Sequence, residues 1–263
     1  MNITAILTAA ALVGGLGIII GLLLGVASEK FKVEVNEKEI AVRELLPGNN
    51  CGGCGFAGCD ALAKAIAEGT ADVAACPVGG SAVAEQIAGV MGVDSVAKQR
   101  MTAFVKCAGT CDKSAVKYNY FGISDCSKAF IAPGHGGKAC SYGCMGLGSC
   151  VAACPFDAIH IANGVAAVDK EVCKACGRCV AACPNHLIEL VPYSAEHLVR
   201  CNSKDKGKTV KESCSAGCIG CSLCAKNCEA GAITVENNLA RIDYSLCTGC
   251  GKCKEKCPVK VIK

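Results

Sequence analysis

The sequence contains no tryptophan and few aromatic residues of any kind. Aromatic residues make up 4% of its 263 positions. Because aromatic side chains supply much of the buried area of ordinary cores, this scarcity argues against a large aromatic core. We therefore expect bound groups to replace part of the usual hydrophobic interior.

Sequence motifs for nucleotide cofactors are also absent. No Gly-x-Gly-x-x-Gly fingerprint follows a strand-like segment, and there is no P-loop. We expect no flavin or NAD on this chain, and hence no catalytic substrate site on the chain alone. The histidines are scattered and are expected to be structural or surface residues; they are His135, His160, His186 and His197.

Cysteine, in contrast, is abundant, with 25 residues. Dense cysteine occurs in secreted disulfide scaffolds, but the number here is odd and the cysteines recur in closely spaced runs. Paired Cys-x2-Cys motifs also bind zinc, whereas runs of four fit iron–sulfur clusters better. Thiolates in such numbers require a reducing compartment, so we expect this part of the protein to face the cytoplasm.

Residues 3–27 contain no charged side chain. About 20 apolar residues in a helix cross the hydrocarbon layer of a membrane, so this stretch is long enough. A signal peptide would need a basic residue before the apolar run, and none is present. Lys30 and Lys32 follow the run, which predicts a single-pass anchor in the cell membrane with the cysteine-rich part on the cytoplasmic side.

The first cysteine motif is embedded in glycine and contains Cys51, Cys54 and Cys59. Residues 60–68 are rich in helix-forming side chains, and Gly69 is placed to end that helix. The helix would carry the chain out and return Cys76 to the first three cysteines. We predict one [4Fe–4S] cluster in a small, mainly helical domain.

Residues 140–183 and 214–257 form an internal repeat whose cysteines correspond without a gap. Each copy ends in the Cys-x2-Cys-x2-Cys-x3-Cys-Pro run of bacterial ferredoxins, in which the fourth cysteine of each motif binds the cluster of the other motif. The repeat therefore predicts two tandem 2[4Fe–4S] ferredoxin-like domains. Together with the helical segments they predict an α+β fold.

The two copies differ at one ligand position, because Leu147 stands where the second copy has Cys221. Cys140 is the nearest replacement, and we predict that it supplies the missing ligand. The predicted ligand sets are Cys51, Cys54, Cys59 and Cys76; Cys140, Cys144, Cys150 and Cys183; Cys154, Cys173, Cys176 and Cys179; Cys218, Cys221, Cys224 and Cys257; and Cys228, Cys247, Cys250 and Cys253.

Five cysteines remain outside these five sets: Cys107, Cys111, Cys126, Cys201 and Cys214. Val-Lys-Cys107 and Val-Arg-Cys201 each precede a ferredoxin-like domain, as remnants of a duplication would. Our hypothesis is that four of the five cysteines bind a sixth cluster. The alternative is that they are buried or free thiols.

The formal net charge of +4 does not indicate nucleic-acid binding. A [4Fe–4S] core held by four thiolates carries a charge of about −2, so five or six clusters make the loaded protein negative. The C-terminal lysines are either a docking face for an acidic ferredoxin or compensation for the clusters' charge. They are Lys252, Lys254, Lys256, Lys260 and Lys263.

The order of parts resembles the B subunits of Rnf complexes over essentially the whole chain. The resemblance rests on the N-terminal apolar segment, the Leu-Pro-Gly-x-Asn-Cys-Gly-x-Cys-Gly-x-x-Gly-Cys motif at residues 46–59 and the ferredoxin repeats. It implies a membrane-bound ferredoxin:NAD⁺ oxidoreductase that translocates Na⁺ or H⁺. This chain would accept electrons from soluble ferredoxin and pass them to partner membrane and flavoprotein subunits.

A rival interpretation is a membrane-anchored polyferredoxin that relays electrons to a hydrogenase or another reductase without ion coupling. A corrinoid-linked component shares the first motif but lacks its other expected parts here. The predicted organisation is a transmembrane anchor at 1–28, a four-cysteine domain at 29–90, a spacer with extra cysteines at 91–135, ferredoxin-like domain 1 at 136–192, a linker at 193–213 and ferredoxin-like domain 2 at 214–263.

Overall fold

A computed structural model describes residues 3–30, 36–94 and 98–263. Lys32, part of the predicted positive flank, lies outside the described residues, as do 31–35 and 95–97 of the predicted connecting segments. Helices and short strands alternate through the cysteine-rich part of the chain. The predicted mixed α+β character is confirmed.

The first element is α1 (Ile3–Lys30), a helix of 28 residues. Its described side chains are almost all exposed, and a Cβ atom at Gly14, Gly17, Gly21 or Gly25 would meet nothing within 4 Å. Among the residues that the structure describes, no helix combines the length and apolar character that a membrane crossing needs.

Three helices form a small N-terminal unit: α2 (Glu37–Leu45), α3 (Cys59–Ala67) and α4 (Gly80–Met91). Asn36 caps α2 by accepting a hydrogen bond from the N–H of Lys38 at 3.0 Å. The predicted helix at 60–68 is present as α3, and Gly69 follows its end at φ +74°. The three helices pack their apolar faces together around Val42, Leu62, Ile66 and Ile87, which are at most 1% exposed.

The first ferredoxin-like unit spans residues 101–192. Its core includes Val105, Ile159, Val165 and Ile188, each at most 4% exposed. Its elements are β1 (Met101–Val105), α5 (Cys126–Ile131), α6 (Ser149–Ala152), β2 (Ile159–Ala162), β3 (Val165–Val168), α7 (Arg178–Ala182) and β4 (Ile188–Pro192).

The second ferredoxin-like unit spans residues 198–263. Its elements after residue 206 are α8 (Gly207–Ser213), α9 (Leu223–Lys226), β5 (Ile233–Glu236), β6 (Leu239–Ile242) and α10 (Lys252–Glu255). Its core uses the positions that the repeat predicts, since Ile233, Leu239 and Ile262 correspond to Ile159, Val165 and Ile188.

Each unit contains one antiparallel hairpin, β2–β3 in the first and β5–β6 in the second. The two turn residues have positive φ in both hairpins, as a type I′ turn requires. They are Asn163 at 48° and Gly164 at 72°, and Asn237 at 49° and Asn238 at 62°. Equivalent turns at equivalent positions indicate that the two sequence copies fold alike.

Both units also include residues that precede their predicted boundaries in the sequence. The predicted spacer contributes β1, which pairs antiparallel with β4 and aligns Val105 with Ile188. The predicted linker contributes Val199, which pairs with Ile262. Pairing with the last strand of the unit buries these apolar residues more fully than a solvated linker would. As a result, Cys107 and Cys201 lie at equivalent positions in the two units.

The spacer also joins the two units directly. The N–H of Ala115 donates to the carbonyl of Ser213 at 3.0 Å, and the N–H of Ser215 donates to Lys113 at 2.9 Å. A few residues later, Lys117 donates to the carbonyl of Gly137 at 2.7 Å. The segments that enter the two repeats therefore lie side by side.

Candidate metal centres

The first motif lies around the start of α3. Cys59 is the first residue of that helix, and its N–H donates to Oδ1 of Asn50 at 2.8 Å. Cys54 and Cys76 pack against the same buried cluster. Burial, with the nearby charges of Cys54 and Cys59, raises the pKa of the Cys76 thiol. The chain after α3 therefore returns Cys76 to the motif; we refer to Cys51, Cys54, Cys59 and Cys76 as the Cys51 set.

A glycine brings this motif against the first ferredoxin-like unit. A Cβ atom on Gly53 would lie 2.6 Å from the carbonyl oxygen of Cys176 and 3.0 Å from its Cα. Cys51 is also close enough to Cys176 to raise the pKa of that thiol, although burial is the larger cause. Gly53 thus permits a contact between two backbones that any side chain would prevent.

One set in the first unit lies where the sequence predicts it. Cys154, Cys173, Cys176 and Cys179 line one cavity together, and we refer to them as the Cys154 set. Burial and the charges of its three neighbours in the set raise the pKa of Cys179 to about 11. The N–H of Ala158 donates to Sγ of Cys154 at 3.4 Å, and that of Ala103 donates to Sγ of Cys173 at 3.3 Å.

The other set in the first unit differs from the prediction in one member. Cys144, Cys150 and Cys183 line a cavity with Cys126, whereas Cys140 lies at a different cavity. Burial, then the charges of Cys144, Cys126 and Cys183, raise the pKa of Cys150 to about 12. In this cavity Cys126 therefore takes the place that the sequence analysis gave to Cys140, and these four residues are called the Cys126 set below.

The local structure explains how Cys126 reaches this position. Asp125 caps α5 by accepting from the N–H groups of Ser127 and Lys128 at 2.7 and 3.2 Å. Cys126 is the first residue of that helix, and its N–H donates to Oγ of Ser149 at 2.7 Å. Since Ser149 precedes Cys150 in the chain, this hydrogen bond fixes Cys126 beside the ligand run.

The second unit contains the other two predicted sets. Cys218, Cys221, Cys224 and Cys257, the Cys218 set, line one cavity. Burial and the charges of Cys218, Cys221 and Cys257 raise the pKa of Cys224 to about 11. In the remaining set, Cys228, Cys247, Cys250 and Cys253, burial and the charges of Cys247 and Cys250 raise the pKa of Cys253. Cys228 packs against the core of the same unit.

Four further cysteines line a cavity between the two units. They are Cys107, Cys140, Cys201 and Cys214, which we call the Cys107 set. Three of them belong to the five cysteines that the sequence left over, and the fourth is the displaced Cys140. Cys111 is exposed and belongs to none of the six sets.

The internal repeat indicates which cysteine could substitute for the ligand missing at Leu147. Cys140 corresponds to Cys214, and Cys107 corresponds to Cys201, so these residues recur in both copies. Cys126 has no counterpart in the second copy, which instead has Cys221 where the first has Leu147. The cysteine without a counterpart is therefore the natural substitute for Leu147. Proximity in sequence instead favoured Cys140, which lines a different cavity.

The donor chemistry of these sets fits [4Fe–4S] clusters. Each set offers sulfur ligands on an apolar wall, which is the ligation that such clusters use. Among the described residues, no three His, Cys, Asp or Glu side chains converge closely enough for a single metal ion. Four thiolates around a cubane bind four different irons, so their sulfur atoms stand further apart. Because iron binds the thiolate form of cysteine, loading a cluster would release protons.

Of the four histidines, only His197 lines a cavity with a predicted ligand, Cys247, among the cavities of the described residues. His197 interacts through Nε2 with the carbonyl of Gly249 at 3.2 Å, and His135 makes an edge-to-face contact with Phe130. His160 is exposed and lies 4.0 Å from a carboxylate oxygen of Asp157. His186 does not line any of the four cavities that the cysteine sets form.

Comparison with known families agrees with these sites. A family model described as "Putative Fe-S cluster" matches residues 46–78, and one described as "LdpA Fe-S cluster-binding domain" matches residues 149–194. A "4Fe-4S binding domain" matches residues 240–263. The fold and the sites together define an iron–sulfur protein with several [4Fe–4S]-binding domains.

Relatives over nearly the full chain define the family. The B subunit of the Na(+)-translocating ferredoxin:NAD(+) oxidoreductase complex of Acetobacterium woodii is 46% identical over 99% of this chain and 78% of its own. The B subunit of the ion-translocating oxidoreductase complex of Methanosarcina acetivorans is 44% identical over 99% and 98%, respectively. Its counterpart in the proton-translocating complex of Clostridium ljungdahlii is 44% identical over 94% and 88%. The chain belongs to this family, the B subunits of Rnf complexes.

The contact at Gly53 gives a first prediction. We expect Gly53→Ala to push the N-terminal unit away from the Cys154 set, because the new Cβ meets rigid backbone; overpacking of this kind costs roughly 1–3 kcal/mol. Iron content should stay unchanged. Magnetic interaction between the clusters of the Cys51 and Cys154 sets, measured by EPR of the reduced protein, should weaken.

Gly89→Ala is the matched control, since a Cβ atom there meets nothing within 4 Å. We expect this variant to keep the wild-type EPR spectrum. If Gly53→Ala also keeps it, the contact with Cys176 does not set the approach of the two sites.

Proposed function

We propose that this chain is the electron-input iron–sulfur subunit of an ion-translocating ferredoxin:NAD⁺ oxidoreductase. In this proposal it accepts electrons from reduced ferredoxin and delivers them to partner subunits of an Rnf complex. The observation that carries the proposal is that neighbouring cysteine sets adjoin one another from the Cys51 set to the Cys218 set. When bound, [4Fe–4S] clusters supply one-electron carriers.

The contacts between the cysteine sets support a single series of electron carriers. Cys51 neighbours Cys176 of the Cys154 set, and Cys179 of that set neighbours Cys150 of the Cys126 set. Cys144 donates its N–H to Sγ of Cys107 at 3.4 Å. Cys201 lies beside Cys218, which begins the sets of the second unit. A chain built for one chemical reaction at one site would not need such a series.

Hydride transfer to NAD⁺ is assigned in this proposal to flavoprotein partners, because one-electron carriers cannot transfer a hydride by themselves. The relatives named above belong to complexes that translocate sodium ions or protons. We extend ion translocation to the complex that contains this chain, with the ion conducted by its membrane subunits.

Five ligand sets form part of this proposal, with Cys126 in place of Cys140 in the first ferredoxin-like unit. The support is the shared cavity of Cys126, Cys144, Cys150 and Cys183. The cavity of the Cys218 set has a similar volume, about 330 Å³ against about 380 Å³. The first unit thus supplies from α5 the ligand that the second unit supplies from Cys221.

A rescue experiment tests this assignment. We expect Cys126→Ala to remove one cluster, about four irons per chain, because a ligand of the Cys126 set is lost. Adding Leu147→Cys to that variant should restore the irons, since residue 147 corresponds to Cys221 and follows the left-handed Gly146 just as Cys221 follows Gly220. Iron and acid-labile sulfide assays measure both outcomes, and full iron content in Cys126→Ala would contradict the assignment.

The exposed C-terminal lysines support a docking face for ferredoxin. Lys254, Lys256, Lys260 and Lys263 are exposed on and after α10, next to Cys253 and Cys257. Lys252 forms an ion pair with Glu229. Positive charge beside an outer ligand set would steer an acidic partner towards it.

Reduction by ferredoxin tests both the function and this face. We expect reduced ferredoxin to bleach the visible absorbance of the anaerobic, cluster-loaded protein, at a rate that falls with salt because exposed charges are screened. Lys254→Glu with Lys256→Glu should slow the reaction roughly tenfold at low salt. Lys208→Glu with Lys211→Glu, an equal change at exposed positions of α8, should have little effect.

Dithionite reduction provides the loading control for each protein. If dithionite bleaches the wild type but ferredoxin does not, the proposed electron input is wrong. If both double variants react at the same rate, ferredoxin docks on another face.

We extend the proposal to an N-terminal membrane anchor with the cysteine sets on the cytoplasmic side. This part rests on the sequence of residues 3–27, which carries no charge and is followed by Lys30. The exposed, mostly apolar surface of α1 is compatible with lipid or with a partner helix.

Fractionation tests the anchor. We expect the full chain, expressed without its partner subunits, to stay in alkali-washed membranes, because only apolar burial resists that treatment. A chain lacking residues 1–28 should move to the soluble fraction with its irons intact. Recovery of the full chain in the soluble fraction would refute the anchor.

A further inference from the structure

We propose that Cys107, Cys140, Cys201 and Cys214 bind an additional [4Fe–4S] cluster at the junction between the two ferredoxin-like units. This inference rests on the proposed function only in that the chain carries such clusters. No family model covers the four residues together, since residues 79–148 and 195–239 lie outside every matched range.

The first argument is the internal symmetry of the site. Each unit contributes two cysteines at equivalent positions. Cys107 and Cys201 each follow a strand end that pairs with the last strand of its unit, since Lys106 donates to Leu187 at 2.8 Å and Arg200 donates to Val261 at 2.9 Å. Cys140 and Cys214 begin the two copies of the repeat. Unrelated free thiols would have no reason to meet in such matched pairs.

The backbone around the sulfur atoms is matched as well. The N–H of Cys144 donates to Sγ of Cys107, and its counterpart Cys218 donates to Cys201. The backbone N–H of Tyr142 donates a hydrogen bond to the sulfur of Cys140, and the backbone N–H of Ala216 donates one to the sulfur of Cys214. Backbone N–H groups aimed at sulfur stabilise thiolate ligands and help set the potential of a cluster.

The second argument is the space between the four thiols. Their cavity measures about 390 Å³, against about 380 Å³ for the Cys126 set and about 300 Å³ for the Cys154 set. Gly109 forms part of its wall, where a Cβ atom would lie 3.4 Å from Sγ of Cys214 and 3.6 Å from Sγ of Cys107. Counted with the space open to solvent, the opening between these four thiols is thus similar in size to those of the two sets in the first unit.

The third argument is charge. Cationic side chains line the cavity: Lys106, which pairs with Glu189; Lys138, which donates to two backbone carbonyls; and Arg200. Nε of Arg200 is buried and has no hydrogen-bond partner among the described residues. A buried guanidinium nitrogen without an acceptor is costly, and a cluster held by four thiolates, with a charge of about −2, supplies the missing negative partner.

The position of the set gives the additional cluster a role. Cys107 adjoins Cys144 of the Cys126 set, and Cys201 adjoins Cys218 of the Cys218 set. The Cys107 set therefore lies between the sets of the two units. A cluster there would also crosslink the units, because its ligands come equally from both.

Iron and sulfide stoichiometry of the anaerobically reconstituted full chain tests the proposal. We expect about 24 irons in the wild type and about 20 in Cys107→Ala and in Cys214→Ala, because four irons belong to each cluster. The double variant should also keep about 20, since two cysteines more than 100 positions apart would then serve the same cluster. Zinc is measured in the same samples.

Cys111→Ala is the matched control, because Cys111 is exposed and outside all six sets; it should keep about 24 irons. A wild type with about 20 irons, a double variant that loses twice as many as each single variant, or one zinc ion in place of four irons would overturn the proposal. The number of irons in the wild type tests the proposal even if a variant fails to fold. Ferredoxin-driven reduction is measured separately on the loaded wild type, so a failure of the proposed function has a different signature.

Discussion

The structure depends on gathering thiols into buried sites, where their charged forms repel one another. Burial and neighbouring cysteines raise the pKa of Cys150 to about 12 and of Cys201 to about 11. Iron bound to the thiolates would offset this repulsion.

Duplication explains how a short chain makes many such sites. Both units use the same hairpin turn, and the same apolar positions, Ile159 with Ile233 and Val165 with Leu239, close the core beside their ligands. In the proposed assignment a single ligand differs, and α5 supplies its replacement from outside the repeat. The segments at which the two copies begin lie side by side, and their matched cysteines line the cavity at the junction.

Close contacts between the cysteine sets connect the structure with the proposed electron transfer. Gly53 lets two backbones touch, and the paired segments at residues 113–115 and 213–215 hold the units together. Transfer of single electrons over a series of sites needs short separations more than it needs a substrate pocket. Membership in the B-subunit family of Rnf complexes fits this arrangement.

The sequence by itself determined the class of protein, the duplication and the helix at 60–68. These features are local or periodic, so spacing and repeat comparison are sufficient to read them. Only the tertiary structure decided where Cys126 and Cys140 belong, and that residues 101–105 and 199 complete the two units. Those relations depend on long-range pairing, such as Cys126 with Ser149 and β1 with β4. Distance along the chain does not report such pairing, because packing energy rather than proximity in sequence selects it.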